Sequence, residues 1–212
     1  MAGDLILECD CGAVGGTLSA EAAAEGSWLV CHCRDCQAFV HHLDKGDGVL
    51  DNHAGTPLVQ TRAFGLQIGK GEESLASVRV TDGKLLRWHC RECRTPIANT
   101  MMDGKWPFLS LIAYPLKGEK PAAADDPVHV FTESGCGETS ELKTGGALKM
   151  VARAFGRILR DKWQRKGRTG AFFDAQGRPI ARPHLLTGEE RKLADSRARE
   201  FCESRAASGQ PM

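Results

Sequence analysis

Through the first two-thirds of the chain, short apolar runs alternate with polar punctuation at a spacing that predicts strands. Leu5-Ile6-Leu7-Glu8-Cys9-Asp10-Cys11 reads as one strand ended by Gly12, and Gly15-Gly16 is expected to bend the chain sharply. Trp28-Leu29-Val30 is a second run, ending in cysteines. Residues 75–80 and 84–89 flank Thr81-Asp82-Gly83, and an Asp-Gly pair between apolar runs predicts a hairpin turn with both central residues at positive φ. Residues 108–114 read as a buried strand stopped at Pro115, residues 121–127 as a loop, and His129-Val130-Phe131 as a last strand.

Beyond residue 143 the period changes. Leu148, Val151, Phe155, Ile158, Leu159 and Trp163 recur every three or four residues, which predicts a helix over 147–166 ended by Gly167 and Gly170. The helix is expected to dock through Leu148, Val151, Phe155, Leu159 and Trp163, leaving Lys149, Arg153, Arg157, Arg160, Lys162, Arg165 and Lys166 in solvent. Residues 172–183 are irregular, with a turn at Gln176-Gly177. Thr187-Gly188-Glu189-Glu190 fits a capping box opening a final helix to about Arg205, after which Ser208-Gly209-Gln210-Pro211 should fray. The fold class is therefore mainly β with a C-terminal α part. Charge marks the same boundary: residues 1–142 carry −8 and residues 143–212 carry +9. A β domain over 1–142 and a basic, mainly helical extension over 143–212 are expected, their opposite signs allowing attraction within a chain or across a homodimer.

Apolar residues at 42% and charged residues at 26% are ordinary for a globular protein, and aromatics at 6% with a single Tyr argue against a base-stacking surface. No apolar stretch is long enough to span a bilayer, and the N-terminus lacks the basic and apolar regions of a signal peptide. A cytoplasmic protein is expected, in which clustered cysteines bind metal more often than they form disulfides.

The nine cysteines are the outlier. Seven fall into Cys9-x-Cys11, Cys31-x-Cys33-x-x-Cys36 and Cys90-x-x-Cys93. On an extended strand Cys9 and Cys11 would point to one face, and a C-x-x-C turn brings two sulfurs together. One C-x-C plus one C-x-x-C supplies four thiolates, the ligand set of a closed structural zinc site. The C-x-C-x-x-C offers three, leaving an open position of the kind catalytic zinc uses. His32, His41, His42, His53 and His89 are each candidates to close that second site and make it structural. Cys136 and Cys202 stand outside the clusters and read as small-residue packing.

Cys9-x-Cys11-Gly12, then Cys31-His32-Cys33-x-x-Cys36-Gln37, then Arg87-Trp88-His89-Cys90-x-x-Cys93 resembles, in order and spacing over about residues 5–115, the glutathione-dependent formaldehyde-activating (GFA-like) enzyme family. The resemblance implies a zinc-stapled, antiparallel β-tent fold. It implies a structural zinc on Cys9, Cys11, Cys90 and Cys93, and a catalytic zinc on Cys31, Cys33 and Cys36. The implied activity joins glutathione to formaldehyde, a carbon–sulfur lyase reaction in reverse. Two departures stand out: the family's glycine in or just after the C-x-x-C is absent from Cys90-Arg91-Glu92-Cys93-Arg94, and Gln37-Ala38-Phe39-Val40 replaces the usual basic residue and glycine.

Two functions follow. One is a zinc enzyme acting on aldehyde adducts of glutathione or another small thiol. The alternative is a non-catalytic zinc module that binds a protein or anionic partner. A nucleic-acid role for the basic 149–166 stripe is not expected, because no aromatic side chains interleave with it.

Overall fold

In a computed structural model, described here over residues 3–145, 147–164 and 170–207, two sheets and a helical layer stack on one another. The strands are β1 (Leu5–Glu8), β2 (Gly15–Leu18), β3 (Ser27–Cys31), β4 (Thr56–Arg62), β5 (Leu66–Lys70), β6 (Leu75–Arg79), β7 (Leu85–Cys90), β8 (Pro96–Met101), β9 (Phe108–Ile112), β10 (Leu116–Lys117), β11 (Val128–Val130) and β12 (His184–Leu185). The helices are α1 (Ala20–Glu25), α2 (Arg34–His42), α3 (Gly46–Val49), α4 (Ala147–Gln164) and α5 (Gly188–Ala207). A four-stranded sheet has the order β10-β1-β2-β5, and an eight-stranded sheet the order β11-β3-β4-β9-β8-β7-β6-β12. The expected fold class, mainly β with C-terminal helices, is what the structure shows. The large sheet is mixed rather than wholly antiparallel: its two edge strands, β11 on β3 and β12 on β6, pair parallel. Both return to the sheet after long connections, which is what parallel pairing requires.

The large sheet is buried on both faces, and period-2 alternation sorts its side chains between two cores. Trp28, Val59, Leu75, Leu86, Trp88 and Leu111 enter one, with Leu5, Leu7, Leu18 and Leu66 of the small sheet and Phe172 of the C-terminal part. Leu29, Cys31, Leu58, Val78 and Ile112 enter the other, with Phe39 and Val40 of α2 and Ala194 and Phe201 of α5. Residues from both sides of the charge boundary thus share each core.

Several local expectations are corrected. Cys9 and Cys11 lie in the turn after β1, not on a strand. Gly15 and Gly16 lie inside β2, not at a bend; a Cβ on Gly16 would sit 2.3 Å from the Gln67 carbonyl oxygen, so glycine permits close strand approach there. β6 and β7 form the expected hairpin, but neither Asp82 nor Gly83 has positive φ. The Arg79 guanidinium closes that loop instead, donating to the Asp82 and Gly83 carbonyls. The capping box forms as expected: the Glu190 amide donates to Thr187 Oγ1 at 3.2 Å, and the Thr187 amide to the Glu190 carboxylate at 2.8 Å. The Thr187 amide, then the His184 imidazole, pull the Glu190 pKa down to about 2.

The long amphipathic helix is present but turned. Phe155, Leu159 and Trp163, expected to dock, are 56%, 51% and 77% exposed. The face that packs carries Ala154, Arg157, Ile158 and Asp161, spaced i, i+3, i+4 and i+7. Arg157 donates to the Glu25 carbonyl and to Ser27 Oγ, Arg160 pairs with Glu25, and the fully buried Asp161 accepts from Arg62 Nε at 3.2 Å. Ionic partners on α1 and β4 thus hold the packed face of this helix. The Leu148 and Val151 side chains, Arg165, Lys166, the helix end at Gly167 and the tail 208–211 lie outside the described residues.

Candidate metal centres

The first centre joins two turns. Cys9 and Cys11 follow β1, and Cys90 and Cys93 sit at the β7–β8 turn; the four sulfurs all lie within 4.8 Å of one another. Cys9 Sγ is 3.6 Å from Cys11 Sγ, and Cys11 Sγ is 3.8 Å from Cys90 Sγ. Four thiolates at about 2.3 Å from a tetrahedral zinc stand about 3.8 Å apart, so this set fits zinc closely and is far too open for a disulfide. The Val14 amide donates to Cys9 Sγ at 3.2 Å, and Thr95 Oγ1 lies 3.1 Å from Cys93 Sγ. Burial pushes the Cys90 thiol up to about 12. Burial also opposes ionisation of Cys93, but the Thr95 hydroxyl and amide overcome it and bring that thiol down to about 6.

The knuckle finds its left-handed residue without glycine. Arg94 takes φ +60°, immediately after the C-x-x-C, where the resembled family places glycine. Its guanidinium is held at 2.7 Å by Asp44 and at 2.9 Å by the His42 carbonyl, which offsets a backbone cost of about 1–2 kcal/mol. On the C-x-C side, Gly12 supplies φ +71°.

The second centre lies on the helical side of the large sheet. β3 delivers Cys31, Cys33 is the N-cap of α2, and Cys36 sits in its first turn, so the segment expected to be β continues as a helix. The three sulfurs lie within 4.8 Å of one another, with Cys31 and Cys36 at 3.6 Å, again the spacing of zinc thiolates. Cys31 and Cys36 are buried and Cys33 is partly exposed. The five candidate histidines are placed elsewhere. His41 packs edge-on against Phe201, His32 faces His129, His53 Nδ1 lies 3.0 Å from the Cys136 carbonyl, and burial holds the pKa values of His42 and His89 down, His89 to about 4. Among the described residues, no His, Cys, Asp or Glu completes this set.

Sequence reasoning did not give Arg87 a role. It alternates with Trp88 on β7 and so points to the opposite face, into the helical layer, where it is buried. Its guanidinium donates to Cys36 Sγ at 3.6 Å and to Asn99 Oδ1 at 3.1 Å. Contacts with Cys31 and Cys33, backed by the Arg87 charge, hold the Cys36 thiol well below its ordinary range. Cys31 is driven up by its contacts with Cys33 and Cys36 and by burial.

Helix α5 runs beside α2. Arg191 pairs with Asp35 at 2.8 Å in the first turn of α2, and Arg197 donates to the His41 carbonyl at 3.2 Å. Cys136 and Cys202, expected to be packing residues, form a disulfide with a Cα–Cα distance of 5.2 Å, tying α5 to the segment after β11. Between the two helices opens a cleft of about 550 Å³ bordered by Arg34, Gln37, Glu133, Arg191, Arg199 and Cys202. No thiolate of the second centre lines it, but Arg34 and Gln37 neighbour Cys33 and Cys36 in sequence. No helix among the described residues is long and apolar enough to cross a membrane.

A family model described as a family of unknown function, DUF6151, matches residues 1–133, and the chain belongs to that family. No curated protein matches the chain. Among solved structures it is similar to a Rhodobacter sphaeroides protein determined in a structural-genomics effort, with 18% identity, 59% of this chain and 99% of that chain covered, and a TM-score of 0.40.

Proposed function

We propose that the protein holds two zinc ions, a structural one on Cys9, Cys11, Cys90 and Cys93 and a reactive one on Cys31, Cys33 and Cys36. In this reading it acts as a carbon–sulfur lyase on aldehyde adducts of glutathione or a related small thiol, as the GFA-like resemblance implies. The observation that carries the reading is the second thiolate set, spaced for zinc and without a fourth protein ligand among the described residues. Zinc in such a site lowers the pKa of a coordinated thiol and polarises an aldehyde oxygen. The residues of the chain supply the rest. Arg87 offsets the negative charge of three thiolates from behind. Arg34 and Arg199, which line the cleft and have no ion-pair partner among the described residues, would receive the carboxylates of a tripeptide. In the forward step the thiol sulfur attacks the aldehyde carbon, the carbon–sulfur bond forms as the carbonyl π bond breaks, and the thiol proton passes to the oxygen.

Glutathione titrated calorimetrically into zinc-loaded protein is expected to bind in the sub-millimolar to millimolar range, and Arg199→Ala is expected to weaken it about tenfold, the loss of one charge-assisted contact. No heat at millimolar glutathione would favour the second reading, a non-catalytic zinc module. That reading has its own supporting observations. The cleft is not lined by the thiolates, and Phe155, Leu159 and Trp163 form an apolar strip on α4 facing solvent. Such a strip suits a protein partner or a second copy of the chain.

A further inference from the structure

We propose a third, thiolate-free metal site on His32, Asp51 and His129, which takes a divalent first-row cation of the manganese(II) or iron(II) class. The three residues come from distant parts of the sequence. His32 follows β3, Asp51 follows α3, and His129 lies on β11. Parallel pairing of β11 with β3 brings them together: His129 is in register with Val30, and the His32 amide donates to the Val130 carbonyl at 3.0 Å. One ligand atom from each residue falls within 4.8 Å of the others.

The hydrogen bonding around this cluster orients its side chains. His32 is fully buried, and its Nδ1 lies 3.0 Å from the His53 carbonyl, so Nδ1 carries the proton and Nε2 presents a lone pair. A ring nitrogen that donates to a backbone carbonyl while its partner nitrogen faces inward is the arrangement metal-ligating histidines adopt. The His53 carbonyl is itself fixed by the Cys136 amide at 3.0 Å. Asp51 Oδ1 accepts from the His53 and Gly55 amides at 2.9 and 2.7 Å, which orients the carboxylate beside the imidazoles. The site also depends on Gly55: a Cβ there would lie 2.6 Å from His32 Cε1 and 2.8 Å from Asp51 Oδ2, so a side chain would force the two ligands apart.

A simple hydrogen bond between the two imidazoles accounts for His32 Nε2 and His129 Nδ1, which are 2.9 Å apart. It does not account for Asp51, whose oriented carboxylate has no ion-pair partner among the described residues. A cation at the centre satisfies all three. The donor set also indicates its type. Two imidazoles and one carboxylate with open positions suit a six-coordinate cation, whereas the thiolate centres select softer ions. His129 and Asp51 are both partly exposed, so the remaining positions face water and accept oxygen ligands.

Manganese(II) is the probe, added to full-length protein whose thiolate centres are already filled with zinc. Loss of the free manganese six-line electron paramagnetic resonance signal is expected to report one bound ion per chain. His129→Ala and Asp51→Asn are each expected to weaken binding about tenfold or more while the zinc content is unchanged, and anaerobic iron(II) should compete. Cys33→Ser should leave manganese uptake intact, which separates this site from the proposed enzymatic one. Absence of manganese binding up to millimolar concentration would overturn the proposal. So would equal uptake by the wild type, His129→Ala and Asp51→Asn.

Discussion

Replacing Cys93 by serine is expected to leave no cooperatively folded protein, whereas Cys33→Ser should remain folded and lose only its second metal. The difference lies in what each centre joins. Cys11 and Cys90 are 79 residues apart, so metal there ties the β1–β2 turn of the small sheet to the β7–β8 turn of the large one. Binding at a four-thiolate zinc site is worth about 10–16 kcal/mol in small zinc domains. Net stability of a domain is about 5–15 kcal/mol, so losing this centre removes a share comparable to the whole. Cys31 and Cys36 are only five residues apart and close a local loop. The β3–α2 junction around them is held independently by Phe39, Val40 and Leu29 in the second core. Circular dichroism, thermal melts and zinc counts on the two variants make the comparison. A Cys33→Ser protein as unfolded as Cys93→Ser would make the second centre structural, and a normally folded Cys93→Ser would dissolve the pairing of the C-x-C with the C-x-x-C.

Arg87→Leu is the second large effect. Removing one partner of a buried charge pair leaves the other uncompensated and costs about 3–5 kcal/mol. Here the abandoned groups are the Cys36 sulfur and the Asn99 amide oxygen, both of which accept from the same guanidinium. The variant is expected to unfold at lower urea and to lose zinc from the second centre first. A double variant, Arg87→Leu with Cys36→Ser, should cost less than the two single losses together, because the charge that Arg87 balances is then gone. Additive costs would mean that Arg87 only packs and does not serve the thiolates.

What the sequence made legible was mostly local. The three cysteine motifs, the capping box at Thr187 and Glu190, the strand at Phe108–Ile112 and the long helix near Ala147–Gln164 all depend on spacings within a few residues, and each forms. The remainder depends on tertiary neighbours. Helix α2 carries Ala38, Phe39 and Val40 as an unbroken apolar run with no clear period, because the sheet on one side and α5 on the other bury it almost all round. The strip of Phe155, Leu159 and Trp163 was readable as amphipathic, but the direction it faces depends on Glu25 and Arg62, which lie far earlier in the sequence. Arg94 shows a turn geometry met by an unexpected residue: no glycine marks the knuckle, and an ion pair to Asp44 steadies the left-handed backbone instead. The disulfide between Cys136 and Cys202 and the cluster of His32, Asp51 and His129 join segments whose proximity only the parallel β3–β11 pairing and the packing of α5 create.

Zinc-edge X-ray absorption, combined with elemental analysis of freshly prepared full-length protein, tests the central claim most directly. The account expects two zinc ions per chain in a shell dominated by sulfur at about 2.3 Å, falling to one when Cys33 is replaced by serine. A metal-replete preparation with no zinc, or with zinc surrounded mainly by nitrogen and oxygen, would contradict it.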